Sequence, residues 1–188
     1  MIRRLIVEPP MSPEASLPWT TAGERDRAAA FSNERRRREY LTWRALVRRE
    51  LGCEVRIGYN DVGAPLLPDG EAFLSVSHCD GRVAVCLSSD RCAVDIEPAS
   101  RDFSRVADRY MTPAERDLSQ DPLWPGYVWC AKEALYKYAG RQSLDLREDL
   151  RIVSADLADG RMLGRIASEE PLLLTASCLE GFLVVYHL

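Results

Sequence analysis

A segment of this chain returns one hundred residues further along. Residues 74–85 (Leu-Ser-Val-Ser-His-Cys-Asp-Gly-Arg-Val-Ala-Val) align without a gap on residues 174–185 (Leu-Thr-Ala-Ser-Cys-Leu-Glu-Gly-Phe-Leu-Val-Val). Leu74, Ser77, Gly81 and Val85 are identical to Leu174, Ser177, Gly181 and Val185. Each copy is a pair of apolar runs joined by an acidic residue and a glycine, the signal of a tight hairpin. Two readings follow. Any two hairpins of this type look alike. Alternatively, an α+β unit has been duplicated, giving two similar halves about a pseudo-twofold with a cleft between them, the kind of interface ligands prefer. The halves then divide near residue 92, as 1–92 and 93–188.

The remaining pattern is that of an α+β chain. Residues 2–7 read as a short strand, and Pro9, Pro10, Pro13 and Pro18 make the next stretch irregular. From Ala22 to Arg49 the periodicity is helical, in two segments, with Tyr40, Leu41, Ala45 and Leu46 on one stripe and Gly52 as a stop signal. Glycines and prolines make residues 58–72 a loop. Apolar runs at 73–78, 82–87 and 92–97 read as strands. Helical patterns follow at 103–110, 112–118 and 126–138, and Thr112-Pro113-Ala114-Glu115 is a capping box. Four more strands are expected at 150–154, 161–167, 172–178 and 182–187.

Composition excludes several classes. Of the chain's 188 residues, 46% are hydrophobic and 29% charged, ordinary for a globule with a real core. The net charge of −4 is unevenly spread. Residues 1–56 carry twelve arginines and eight acids (+4), and the rest carries thirteen bases and twenty-one acids (−8). An acidic body argues against wrapping nucleic acid, which favours a continuous basic surface. The six cysteines form no C-x-x-C pair, and only His78 and His187 could join them, so a structural zinc site is not expected. Residues 1–10 hold charges and prolines where a signal peptide has its apolar core, and no apolar run is long enough to span a bilayer. The expectation is a reduced, cytoplasmic protein with no membrane partner.

Three clusters carry chemistry. On the strand Cys92–Glu97, alternation sends Val94 and Ile96 to the core, and Asp95 and Glu97 together to the other face. Paired carboxylates repel unless neutralised, and a hard cation such as Mg²⁺ or Mn²⁺ does this; a solvated acidic strand face is the plainer alternative. The chain's only two lysines, against 23 arginines, are Lys132 and Lys137, and they flank Glu133. Trp129, Glu133 and Lys137 share one helix stripe. That pattern suits a site where Glu133 reaches a metal and Lys137 a phosphate, or simply an exposed Glu–Lys pair worth a few tenths of a kcal/mol. Ser77 and His78 end a strand before a turn, where an imidazole meets an anion or is merely satisfied locally. Arg35-Arg36-Arg37-Arg38 is a solvated helix face or a grip on phosphate or RNA.

In order and spacing these clusters closely resemble the 4′-phosphopantetheinyl transferase superfamily, and within it the surfactin-synthetase-activating type built as a tandem of two similar halves. That family shows a G-K-P loop, a Ser-His pair, a G-[IVL]-D-[IV]-E strand and W-x-x-K-E-[AS]-x-x-K on a later helix. The matching residues are Gly63-Ala64-Pro65, Ser77-His78, Ala93 to Glu97, and Trp129 to Lys137. The resemblance covers roughly residues 35–155.

The resemblance implies Mg²⁺-dependent transfer of 4′-phosphopantetheine from coenzyme A to a serine of an apo acyl or peptidyl carrier protein, releasing 3′,5′-ADP, by a monomer. It implies that Asp95, Glu97 and Glu133 hold the metal, and that Glu133 accepts the serine proton. Ser77 and His78 would contact coenzyme A phosphates, Lys137 the pyrophosphate, and Lys132 a less defined part of the cofactor. Arg38 would serve the adenosine side, and Arg25 or Arg27 the 3′-phosphate. The first half would thus hold coenzyme A and the second the metal and catalytic groups. Arg105, Arg109 and Arg116, with Tyr110, Met111 and Leu118, would face an acidic carrier helix. Three departures stand out: Ala64 for the loop lysine, Ala93 for glycine, and Cys79 for a small hydroxyl residue. Two other readings use the same residues: a Mg²⁺-dependent phosphohydrolase acting on a nucleotide, and a protein- or RNA-binding module using the arginine run.

Overall fold

Two antiparallel sheets and two long helices position everything else. The computed structural model describes residues 1–68, 70 and 72–188; of the loop expected at 58–72, positions 69 and 71 lie outside the described residues. In chain order the elements are β1 (Arg3–Glu8), α1 (Pro13–Ser16), a 3₁₀ turn (Leu17–Trp19), α2 (Ala22–Ala29), α3 (Glu34–Leu51), β2 (Gly58–Tyr59), β3 (Pro65–Leu66), β4 (Phe73–Cys79), β5 (Arg82–Ser88) and β6 (Ala93–Pro98). A 3₁₀ segment (Ser104–Arg109), α4 (Pro113–Arg116), α5 (Trp124–Ala139), β7 (Leu150–Asp156), β8 (Arg161–Ile166), β9 (Leu172–Leu179) and β10 (Phe182–His187) complete the chain. The chain is mixed α+β. Among the described residues no helix is long and apolar enough to cross a membrane.

One sheet runs β1-β5-β4 and draws only on residues before 92; the other runs β6-β10-β9-β8-β7 and draws only on residues after it. β2 and β3 form a separate two-stranded ribbon. The first three strands of the two large sheets follow the same plan. A lone strand pairs antiparallel with the second arm of a hairpin, β1 with β5 and β6 with β10. The long helix between lone strand and hairpin is α3 in one case and α5 in the other.

The repeated hairpins are β4–β5 and β9–β10, closed by Asp80-Gly81 and Glu180-Gly181. Gly81 and Gly181 sit at φ 91° and 83°, a region glycine enters without a Cβ clash. The two turns touch. Arg82 reaches Glu180 at 2.5 Å, and its guanidinium lies 4.9 Å over the Phe182 ring.

Strand alternation explains the layering. Val83, Val85 and Leu87 of β5 face α3, packing on Trp43, Leu46 and Val47. Ala84 and Cys86 face the other way, onto Val94, Ile96 and Val184 of the second sheet. β5 is therefore covered on both faces, which is why it reads as an unbroken apolar run. Leu183 and Val185 of β10 point to the far side, into the core under α5 with Val128, Ala131 and Leu135. Gly126 lets α5 approach closely, since a Cβ there would lie 2.4 Å from Leu183.

The seam between the sheets is polar in one respect. β6 pairs with β10 on one edge only; along the other, Ser75 Oγ accepts from the Val94 N–H (3.1 Å) and Ser77 Oγ from the Ile96 N–H (3.4 Å). Two serines at alternate positions thus cap two amides at alternate positions, where unmade hydrogen bonds would each cost about 1–3 kcal/mol.

Candidate active site

β6 presents Asp95 and Glu97 on the face crossed by α5. The plainer expectation, a solvated acidic strand face, is corrected here, because Asp95 is only 5% exposed. Its Oδ1 accepts from Ser77 Oγ and from Lys137 Nζ, each at 2.7 Å. Lys137 also donates to the Val94 carbonyl at 2.9 Å, so it is clamped to the strand it serves. The other oxygen, Oδ2, is buried without a hydrogen-bond partner. A buried carboxylate oxygen left bare is costly unless a cation approaches it.

Glu97 lies at the rim. Its Oε1 accepts from Arg101 Nη1 at 2.5 Å and from the Trp129 indole N–H at 3.2 Å. Glu133 is one helical turn beyond Trp129 and one before Lys137, and is half-buried. Burial raises its carboxyl above the usual range, and Asp95 adds to the rise while Lys137 opposes it. A carboxyl displaced upward in this way holds a proton more readily than an exposed one.

The donor set fits a hard divalent cation: one orphaned buried carboxylate oxygen, a second carboxyl whose charge is disfavoured, and a third at the rim. The fit is incomplete in one respect. Among the described residues, no three of His, Cys, Asp and Glu converge tightly enough to form a ligand cage. Glu97 is turned toward Arg101.

Ser77 and His78 are adjacent on β4 and so point opposite ways. Ser77 turns inward and holds Asp95. His78 turns outward, with Nδ1 3.1 Å from Glu39 Oε2. It lines a hollow of about 490 Å³ with Arg27, Phe31, Arg36, Tyr40 and Tyr59. Arg36 stacks 4.8 Å over Phe31. Arg44, buried beneath, stacks 3.4 Å over Tyr40 and donates to the Tyr59 hydroxyl. Arginine forks beside aromatic faces suit a planar, anionic ligand. The only mark of Arg36 and Tyr40 as a pair in the sequence is their i,i+4 spacing, which α3 turns into a shared face.

Arg38 and Arg25 line a different, more apolar hollow of about 500 Å³ with Met11, Leu17 and Leu41. Arg38 spends its guanidinium on the Pro10 and Met11 carbonyls, and Arg25 donates to the Thr20 carbonyl. The structure therefore groups Arg27, not Arg25 or Arg38, with His78.

Lys132 is separated from the cluster altogether. It is 1% exposed, with Nζ 2.8 and 3.0 Å from the two oxygens of Glu115, and it donates to the Tyr110 carbonyl. Lys132 and Glu133 are neighbours on a helix and cannot face the same way, so one lysine serves the fold and the other the cleft. Tyr110 and Met111 are likewise core residues, 1% and 2% exposed, which removes them from any docking surface. Arg105, Arg109 and Arg116 are exposed beside them.

A groove of about 520 Å³ runs between the 62–76 segment and the end of α5, reaching Lys137. Its walls include Ala64, Leu74, Val76, Cys92, Tyr136 and Arg141. Ala64 supplies no charge, but Arg141 lines the same groove. Cys79 adds no nucleophile near the site: burial first, then Glu97 and Asp95, push its thiol up to about 12.

Asp95, Glu133 and Lys137 thus meet where α5 crosses β6, with Glu97 at the rim. Residues 91–177, a little under half of the chain, match the family model of the 4′-phosphopantetheinyl transferase superfamily. The matched segment runs through β6 and α5 and so contains Asp95, Glu97, Glu133 and Lys137. No curated protein matches the chain.

Proposed function

We propose that this protein transfers 4′-phosphopantetheine from coenzyme A to a serine of an apo carrier protein, releasing 3′,5′-ADP. The observation that carries the reading is the bare, buried Oδ2 of Asp95, beside Glu133 and Lys137 in the segment similar to that superfamily. The shared strand order of the two sheets supports a pseudo-twofold tandem of the surfactin-synthetase-activating type, sufficient as a monomer. The six free thiols support a cytoplasmic setting.

In this reading the nucleotide end of coenzyme A rests against Arg27, Arg36, Tyr40 and His78, and the pyrophosphate and the head of the pantetheine arm lie by Lys137 in the groove that Ala64 and Arg141 also line. Asp95, Glu133 and Glu97 would hold Mg²⁺ (or Mn²⁺), which supplies Lewis-acid charge to the pyrophosphate. Lys137 offsets the charge that grows on the leaving phosphate. The carrier serine hydroxyl attacks the β-phosphorus, the bond to the leaving phosphate breaks, and Glu133 takes the hydroxyl proton. Ser77 keeps Asp95 aimed. Arg105, Arg109 and Arg116 would meet the acidic face of the carrier.

The experiment is incubation with coenzyme A, Mg²⁺ and a panel of apo-carriers, read by intact mass. Gain of a phosphopantetheine on the carrier serine supports the proposal. Cleavage of coenzyme A with no carrier present would instead favour a phosphohydrolase.

A further inference from the structure

Each strand carboxylate of the cleft already has a cation of its own. Lys137 sits on Asp95, and Arg101 sits on Glu97 at 2.5 Å. The second pairing is built in detail. Arg101 follows the tight turn after β6, where its amide donates to the Pro98 carbonyl at 3.1 Å. Its guanidinium is stacked 4.8 Å over Phe103 and 5.4 Å over Trp129, and Trp129 donates to the same Glu97 oxygen that Arg101 holds. Phe103 is itself core, 4% exposed, so the shelf under Arg101 is fixed. A planar cation on an aromatic shelf, facing a carboxylate, is a resting place and not an accidental surface contact. Asp95 differs: its lysine takes one oxygen and leaves the other bare.

We propose that Arg101 is the resident counter-ion of Glu97, competing with a divalent cation for that carboxylate and so setting the cation affinity of the cleft. This rests on the metal reading above and adds to it. Of the three carboxylates, Asp95 and Glu133 form the standing part of the site, and Glu97 joins only when Arg101 yields it. Arg101 thereby weakens metal binding until a polyanionic substrate brings further negative charge for the guanidinium to turn to.

The test is Mn²⁺ binding without coenzyme A, followed by the electron paramagnetic resonance signal of free Mn²⁺. It uses wild type, Arg101→Gln, Arg101→Lys, Glu97→Gln and the Arg101→Gln/Glu97→Gln double variant. Arg101→Gln is expected to bind Mn²⁺ roughly fivefold or more tightly, the scale of one partly screened charge at this range. Arg101→Lys, which keeps the charge, should stay nearer wild type. In the Glu97→Gln background the gain should largely vanish, because there is no carboxylate left to release. Unchanged or weaker binding in Arg101→Gln overturns the proposal, as does an equal gain in both backgrounds, which would indicate a general field effect. If none of the five proteins binds Mn²⁺, the metal reading falls and takes the proposal with it; wild-type binding with no effect of Arg101 sinks the proposal alone. Arg101 is 43% exposed in its side chain, so its variants are expected to fold, which thermal melts check.

Discussion

Replacing Lys132 with methionine separates the fold's lysine from the site's lysine. The change keeps side-chain length and removes the ammonium. Lys132 and Glu115 are 1% and 2% exposed, so no solvent screens the loss. Glu115 would keep Thr112 N–H (2.8 Å), Thr112 Oγ (3.0 Å) and Ile152 N–H (2.8 Å), while the Tyr110 carbonyl would lose its donor. Breaking a buried pair from one side costs about 3–5 kcal/mol, and the three surviving donors put this case near about 3 kcal/mol. For a chain of this size that lowers Tm by about 6–12 °C. Burial also holds the Lys132 ammonium below the usual lysine range, with Glu115 pulling it back, so the pair is interdependent. Adding Glu115→Gln should recover part of the stability, since the orphaned charge goes with it. The assay is thermal melting together with coenzyme A titration below the transition. Affinity should stay within about twofold of wild type, as expected for a site the residue does not touch. Wild-type melting with greatly weakened coenzyme A binding would refute this and return Lys132 to the cofactor.

Arg141 should supply the charge that Ala64 lacks: Arg141→Ala weakens coenzyme A binding about tenfold in a titration, and Ala64→Lys restores it in that background. If Ala64→Lys instead tightens binding by the same amount in wild type and in Arg141→Ala, the two do not share a ligand. Glu24 ties α2 to α3 through Arg48 at 2.7 Å and Arg44 at 3.4 Å. Burial opposes its charge, but the Arg48 hydrogen bonds, the Thr21 N–H and the charge of Arg44 hold its carboxyl below the ordinary value. Its contribution is therefore present above the unfolded carboxyl pKa and lost as pH falls through the folded one. Glu24→Gln should cost about 2 kcal/mol at pH 7 in urea unfolding, and the gap to wild type should close in acid. Glu133→Gln should keep coenzyme A binding and lose transfer by about 100-fold or more, because it retains an oxygen but cannot take the serine proton. Near-native turnover there would move the proton to another acceptor.

Local pattern carried much of this structure. Alternation in the apolar runs locates β4, β5, β6 and β9–β10 to within a residue or two, and the stop glycine Gly52 marks where α3 ends. What stayed hidden depends on tertiary contact. A period-two pattern says Asp95 and Glu97 share a face, but not that α5 covers it and buries Asp95. Nor does it say that Ser77 turns toward that carboxylate instead of toward a ligand. The motif placed two lysines around Glu133, yet neighbouring helix positions face different surroundings, and only packing decides that Lys132 meets Glu115. In the arginine run Arg36 faces the aromatic hollow, while Arg38 ties down Pro10 and Met11. Charge density in a sequence does not distinguish these two uses. The 58–59 and 65–66 ribbon is not legible in the sequence, because two-residue strands have no periodicity to detect.

The central claim is that the Asp95–Glu133–Lys137 cleft moves phosphopantetheine onto a carrier serine. The most direct measurement is the intact mass of an apo-carrier after incubation with coenzyme A and Mg²⁺, comparing wild type, Asp95→Asn and wild type in excess chelator. Asp95→Asn keeps the shape and the Ser77 hydrogen bond while removing the charge, so the fold should survive. Modification of the serine by wild type alone is the predicted result. Full modification by Asp95→Asn or in chelator, or no modification of any carrier by wild type, would contradict it.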